Sequence, residues 1–231
     1  MLLDLEGLTS SKKVEDKRFR LNNTGSSEGC YYHVFNRGVD KRVVFMDTFD
    51  FMRFEETLSY YLKGPHSVSL QLHKDKGLLD LQGLTNRVNI ISYCLMKNHF
   101  HLLLRGLTFD GIAKYMSDVS NSYTRYFNAK YHRNGVLFQG RYKRKTVETE
   151  ASILQVSRYI HLNPGQPYLY PFSSLNVWID IKNFRSKIVN LRDLQYWVQS
   201  ANGSAEYKSF VDSKINSDKE AGIEDLIFED S

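Results

Sequence analysis

Cysteine is scarce in this chain of 231 residues, which contains only Cys30 and Cys94. Two cysteines give no disulfide framework, and their spacing fits no zinc-binding motif. No run of about 18 uncharged apolar residues occurs, so no membrane span is expected. The first 20 residues lack the apolar core of a secretory signal, and no P-loop or internal repeat is present. We therefore expect a cytoplasmic protein.

The charge is unevenly distributed along the chain. The net charge is +5, yet residues 218–231 contain six acidic residues and one lysine, so the other residues carry +10. The chain also contains 15 tyrosines and 14 phenylalanines. This composition is compatible with a nucleic-acid-binding surface and equally with a generally basic protein.

Alternation and helical spacing predict an α+β fold. Strands are expected at 31–38, 67–72, 87–96 and 99–106, and a basic strand within 133–148. Helices are expected at 48–62, 111–131 and 150–163, and in parts of 185–212. Thr48 or Asp50 is the expected N-cap of the first helix. Antiparallel strands separated by helices in this order predict a sheet with helices packed on it.

The stretch CLMKNHFHLLLRG, residues 94–106, places His99 and His101 in an otherwise apolar strand. Side chains alternate between the two faces of a strand, so the two imidazoles share one face. Two neutral imidazoles side by side can bind one metal ion. In an arbitrary strand such a histidine pair more often has a structural role. A third ligand is therefore needed before the pair indicates a metal site.

A candidate third ligand lies in RYIHLNPG, residues 158–165. Tyr159 and Asn163 are four residues apart, so they share one face of a helix. An amide oxygen suits Mg²⁺ or Mn²⁺, and a phenol beside it can attack a phosphorus atom that such an ion polarises. A core tyrosine followed by a helix cap would produce the same pattern.

Four motifs follow one another in a single order. They are CLMKNHFHLLL (94–104), GVLFQGRY (135–142), YIHLNP (159–164) and PFSS (171–174), and YYHVFNRG (31–38) precedes them. With these motifs, residues 30–175 resemble the HUH single-tyrosine transposases, most of all their REP-associated branch. Lys97 stands where that branch usually has proline, and Phe138 where it has tryptophan. Both departures leave the predicted chemistry intact and bear on DNA contacts.

The resemblance implies a ferredoxin-like or RRM-like HUH fold and a role for each motif residue. His99 and His101 would be the metal-binding pair, Asn163 the third ligand and Tyr159 the nucleophile, with Mg²⁺ or Mn²⁺ as the cofactor. The implied activity is that of a DNA transposase, which cleaves single-stranded DNA beside a hairpin through a 5′-phosphotyrosine intermediate and joins strands again. The implied state is a monomer or a homodimer.

A cluster of basic residues follows the second motif. It consists of Arg141, Lys143, Arg144 and Lys145. A solvated strand edge is the commoner meaning of such a cluster, but beside these motifs we expect it to track DNA phosphates.

The expected organisation has three parts. Residues 1–29 would form an N-terminal arm, 30–175 the transposase domain and 176–231 a C-terminal extension with an acidic tail. Two other functions stay open: a non-catalytic DNA-binding protein derived from a transposase, and a metal-dependent phosphodiesterase that uses water in place of Tyr159. A pure binder has no need of the histidine pair or of Tyr159.

Overall fold

The computed structural model describes residues 28–77, 83–183 and 186–215. Its strands are β1 (Tyr31–Arg37), β2 (Lys63–Gly64), β3 (Thr85–Asn86), β4 (Val88–Met96), β5 (His99–Gly106) and β6 (Lys143–Val147). Its helices are α1 (Thr48–Tyr60), α2 (Leu70–Lys76), α3 (Gly111–Lys130), α4 (Glu150–Leu162), α5 (Leu175–Ile179), α6 (Leu191–Ser200) and α7 (Ser204–Ile215). Short 3₁₀ turns occur at Val39–Lys41 and Pro167–Leu169.

Four strands form the central sheet, in the order β4-β5-β1-β6, and β2 pairs with β3 in a separate ribbon. All neighbours in the central sheet are antiparallel. Along the chain the order of main elements is β1-α1-β4-β5-α3-β6, which is the ferredoxin-like arrangement. The predicted fold class, an antiparallel sheet with helices packed on it, is confirmed.

Helices cover both faces of the sheet. On one face α1 and α3 pack through aromatic rings: Phe54 of α1 lies 5.1 Å from Phe100 of β5 and 4.9 Å from Tyr123 of α3, between ring centroids. The other face carries α4 and α6, and Trp197 of α6 meets Tyr31 of β1 edge-on at 5.3 Å. This second face also bears the histidine pair, as the strand register below shows.

Two local predictions were wrong. The weak strand expected at 67–72 is replaced by α2, because the Ser69 hydroxyl caps the amide of Leu72 at 3.2 Å and Gly77 ends the helix with a φ of 63°. The N-cap of α1 is Asp47, whose carboxylate accepts from the Asp50 amide at 3.0 Å, and not Thr48 or Asp50. In both places the side chain of a short polar residue decides where the helix begins.

The expected N-terminal arm, apart from Glu28 and Gly29, and the acidic tail lie outside the described residues. Within the expected C-terminal extension, α6 and α7 pack on the same sheet and helices as the preceding residues do. The division of the chain at 29 and 175 stays a prediction. In the ranges that the structure describes, no helix combines the length and the apolar character needed to cross a membrane.

Candidate active site

The histidine pair lies at the start of β5, directly after the Lys97-Asn98 turn. β5 lies between β4 and β1, so it is an interior strand. His99 and His101 are two residues apart and project from the same face of the sheet. Their ring centroids are 5.1 Å apart and their planes nearly perpendicular, at 85°.

The surroundings of His99 are polar. Its Nδ1 lies 2.7 Å from the Asn98 side-chain oxygen, and its Nε2 lies 3.3 Å from the Asn163 side-chain oxygen. The orientation of both side-chain amides follows from their nitrogens, which donate to backbone carbonyls. The Asn98 nitrogen donates to the carbonyl of Lys41 at 3.3 Å, and the Asn163 nitrogen donates to the carbonyl of Tyr159 at 2.9 Å. Since an amide oxygen only accepts, Nδ1 must carry the proton in the bond to Asn98.

His101 is fully buried and contacts a third histidine. In the β1–β5 register Phe35 lies opposite His101 and His33 opposite Leu103, so both β1 residues share the face of the pair. The Nε2 of His33 lies 2.9 Å from the Nδ1 of His101. Burial, and then the neighbouring His33 and His99, hold the pKa of His101 well below its usual value. The imidazole of His101 is therefore neutral at physiological pH.

Tyr159 reaches the same face from α4. The helix is N-capped by Thr149, whose hydroxyl accepts from the Ser152 amide at 3.0 Å. The Tyr159 ring is half-buried and stands edge-on to His101, with ring centroids 5.4 Å apart. Asn163, one turn further, is the C-cap residue of α4. β5 and α4 of one chain therefore bring together the four residues to which the sequence assigned chemistry.

One family of known proteins matches the part of the chain that contains these residues. The model of the family described as "Transposase IS200 like" matches residues 78–163, which include the histidine pair, the basic cluster, Tyr159 and Asn163. Over these residues the chain is similar to the IS200-like transposases. The resemblance found in the sequence motifs is thereby confirmed.

No curated protein matches the chain significantly. Ten chains of solved structures resemble it. One is a REP-associated tyrosine transposase bound to a REP hairpin, with a TM-score of 0.49 and 11% sequence identity, over 74% of this chain and 93% of that one. Identity at this level is too low to carry function from one protein to another.

A divalent ion, which the similarity to the IS200-like family leads us to consider, fits the donor atoms present. With its proton on Nδ1, a neutral His99 turns the lone pair of Nε2 towards the oxygen of Asn163, and two acceptors 3.3 Å apart repel unless a proton or a metal ion joins them. Two adjacent ligands of an octahedral ion lie about 3.0 Å apart when each bond is about 2.1 Å. The observed separation of the two donor atoms is close to that value.

No acidic side chain in the described part of the chain completes this donor set. Among the residues that the structure describes, no group of three or more His, Cys, Asp or Glu side chains is arranged to hold a metal ion. A metal centre here therefore depends on the amide oxygen of Asn163 as its third protein ligand, beside His99 and His101.

The basic cluster is divided between the two faces of the sheet. β6 is an edge strand, and Lys143 and Lys145 lie opposite Phe35 and His33 of β1, on the face of the histidine pair. Arg144 lies on the other face, with its guanidinium 5.1 Å from the ring of Tyr32. Arg141 precedes the strand and lies 5.4 Å from the Tyr142 ring. Only part of the cluster can therefore face the same ligand as the histidines.

Two residues at this site were not singled out by the sequence analysis. Asn98 is adjacent to His99 in the motif, but a turn asparagine has an obvious structural reading. His33 alternates with Phe35 on β1, and its place beside His101 depends on the register between β1 and β5. That register is a long-range pairing, which the local pattern does not reveal.

Proposed function

We propose that this protein cleaves and rejoins single-stranded DNA, with Tyr159 as the nucleophile and Mg²⁺ or Mn²⁺ held by His99, His101 and Asn163. The observation that carries the proposal is the convergence of these four residues on one sheet face within one chain. They come from two elements more than 50 positions apart in the sequence. A core tyrosine and an ordinary helix cap give no reason for the histidine pair to face them.

In the proposed reaction the Tyr159 oxygen attacks the phosphorus of the scissile phosphodiester. The bond between phosphorus and the 3′ oxygen breaks and a 5′-phosphotyrosine forms. The tyrosine proton passes by way of water to the departing 3′ oxygen, which becomes a 3′ hydroxyl. A second 3′ hydroxyl reverses the step and joins strands. The bound ion supplies positive charge that stabilises the phosphate oxygens in the transition state.

The substrate is proposed to be single-stranded DNA beside a hairpin, as the REP-associated branch would use. A flexible strand allows the phosphate to align with the Tyr159 oxygen. Lys143 and Lys145, on the face of the histidines, would hold neighbouring phosphates, and Arg141, which precedes the strand, would add a contact. Arg144, on the opposite face, would contribute only to the general attraction of DNA. Since all four active-site residues lie in one chain, no partner copy is needed to complete the site. A cytoplasmic location is part of the same proposal.

The test is covalent capture of the DNA. The full chain is incubated with Mg²⁺ or Mn²⁺ and a library of oligonucleotides that carry a hairpin, randomised flanks and a fluorophore at the 3′ end. A 5′-phosphotyrosine retains the 3′-labelled fragment, so a labelled protein band is expected on a denaturing gel. Tyr159→Phe should abolish the band, while Tyr142→Phe, outside the site, should retain it.

Three outcomes contradict the proposal. Cleavage that persists in Tyr159→Phe would favour a phosphodiesterase that uses water. Binding of the library without cleavage by the unchanged protein would favour a non-catalytic DNA-binding protein. Proteolysis and mass spectrometry that place the adduct on a tyrosine other than Tyr159 would refute the nucleophile assignment.

A further inference from the structure

His33 contacts the histidine pair from outside the four proposed active-site residues. It is fully buried in β1, and its Nε2 lies 2.9 Å from the Nδ1 of His101. The two rings are stacked at 23°, with centroids 5.1 Å apart. The ring of Phe35 packs on both, 4.9 Å from His33 and 5.8 Å from His101. Ring packing and a hydrogen bond together fix the rotation of His101.

The hydrogen bond also couples the tautomer of His101 to that of His33, because one of the two rings must donate and the other accept. A neutral imidazole has one N–H donor and one acceptor nitrogen. Because Nδ1 of His101 is engaged by His33, a metal ion would have to bind Nε2. That requires the proton of His101 to lie on Nδ1 and to be donated to Nε2 of His33.

The same arrangement occurs at His99. Its Nδ1 faces the Asn98 oxygen at 2.7 Å, an atom that only accepts, so its proton lies on Nδ1 as well. Each histidine of the pair thus faces an atom that can accept a proton at Nδ1, supplied by the turn for His99 and by β1 for His101. In metal sites a second partner of this kind sets the tautomer and raises the basicity of the ligand.

We propose that His33 is a positioning residue, which holds His101 in the tautomer and rotation that direct Nε2 to the divalent ion. The inference rests on the proposed function, because it needs a metal at the histidine pair. The alternative is that the two buried histidines only stabilise the junction of β1 and β5. If His33 were only structural, its substitution would change the free energy of unfolding. The affinity for metal would then not depend on whether the side chain at position 33 accepts a hydrogen bond.

The experiment measures Mn²⁺ binding to the full chain without DNA, by electron paramagnetic resonance of the free ion. His33→Phe retains a ring of similar size but accepts no hydrogen bond, and His33→Gln places an amide oxygen near the position of Nε2. We expect His33→Phe to weaken the Kd for Mn²⁺ by about 10- to 100-fold and His33→Gln to recover most of the loss. Thermal unfolding without metal is recorded for each variant, and His99→Ala marks the loss of a ligand.

The outcomes separate the two proposals. Unchanged Mn²⁺ affinity in His33→Phe, with a clear loss in His99→Ala, would overturn the role of His33 alone. Affinity that His99→Ala leaves unchanged would overturn the metal centre and this inference with it. Should His33→Phe fail to fold, nitrogen-15 spectra of the imidazoles in the unchanged protein decide: a proton on Nδ1 of His101 is expected, and a proton on Nε2 contradicts the inference.

Discussion

At the scale of the residue, Asn163 makes two contacts with different consequences. Its amide nitrogen donates to the carbonyl of Tyr159 at 2.9 Å, which stabilises the end of α4. Its oxygen lies 3.3 Å from the Nε2 of His99, which places it at the proposed metal centre. The two descriptions that the sequence left open, a helix cap and a metal ligand, are therefore compatible in one side chain.

Substitution of Asn163 separates those two contributions. Asn163→Ala removes both contacts, and we expect it to lower the rate of covalent adduct formation by at least about tenfold, the cost of disturbing even an outer partner of a metal. Asn163→Asp loses the amide donor but retains an oxygen, so its rate should be closer to that of the unchanged protein. The rate of appearance of labelled protein on a denaturing gel is the measurement. A wild-type rate in Asn163→Ala would leave Asn163 as a cap only.

At the scale of the element, local periodicity predicted most of what the structure contains. The hairpin of β4 and β5, the long helix α3 and the tyrosine helix α4 follow from alternation and from spacing of three and four residues. The strand prediction for residues 67–72 was wrong because helix capping by Ser69 outweighs a weak alternation of apolar residues. The sequence pattern indicated which site residues share a face within β5 and within α4. It did not indicate His33, since the contact of His33 with His101 depends on the register between β1 and β5.

Strand β6 gives an element-scale test of DNA contact, because its neighbouring cations lie on opposite faces. Lys143 pairs with Phe35, which itself pairs with His101, so Lys143 lies two strands, or about 10 Å, from His101 across the sheet. Arg144, equally exposed and also singly charged, projects from the other face. The two residues form a matched pair for mutation.

We expect Lys143→Ala to weaken binding of single-stranded DNA and to lower the slope of log affinity against log salt by about 0.7, the loss of one phosphate contact. Arg144→Ala should leave this slope nearly unchanged. Fluorescence anisotropy of a labelled hairpin oligonucleotide between about 50 and 200 mM salt measures both. Equal losses in the two variants would indicate attraction by overall charge rather than by the face of the histidines.

At the scale of the whole molecule, a buried polar network connects α4 to the sheet and to α7. The imidazole of His161 contacts the Tyr207 hydroxyl of α7 through Nδ1 and the Ser174 hydroxyl through Nε2, each at 2.8 Å. Ser174 in turn accepts from the Tyr93 amide of β4 at 2.8 Å. His161 follows Tyr159 by two positions and lies on the opposite side of α4. Its hydrogen bonds therefore hold α4 in place on one side, while Tyr159 on the other side faces the histidine pair.

This network makes the stability of the fold sensitive to acid. Burial lowers the pKa of His161 to about 3, whereas an unfolded histidine has a pKa of about 6.5. Below about pH 6.5 the unfolded chain therefore gains a proton that the folded chain does not, and stability falls as the pH drops towards 3. The groups that face His161 are two hydroxyls and the Trp178 ring, and none of them supplies a charge that would favour the imidazolium. His101, whose pKa is also lowered, acts in the same direction.

Between pH 7.5 and pH 5.5 the His161 contribution amounts to about 1.4 kcal/mol of unfolding free energy. We expect His161→Gln, although less stable at both pH values, to lose about 1.4 kcal/mol less than the unchanged protein over this interval. Urea unfolding followed by circular dichroism at the two pH values gives the difference for each. If His161→Gln loses as much stability over this interval as the unchanged protein does, the acid sensitivity lies elsewhere, and the buried imidazole of α4 is not its source.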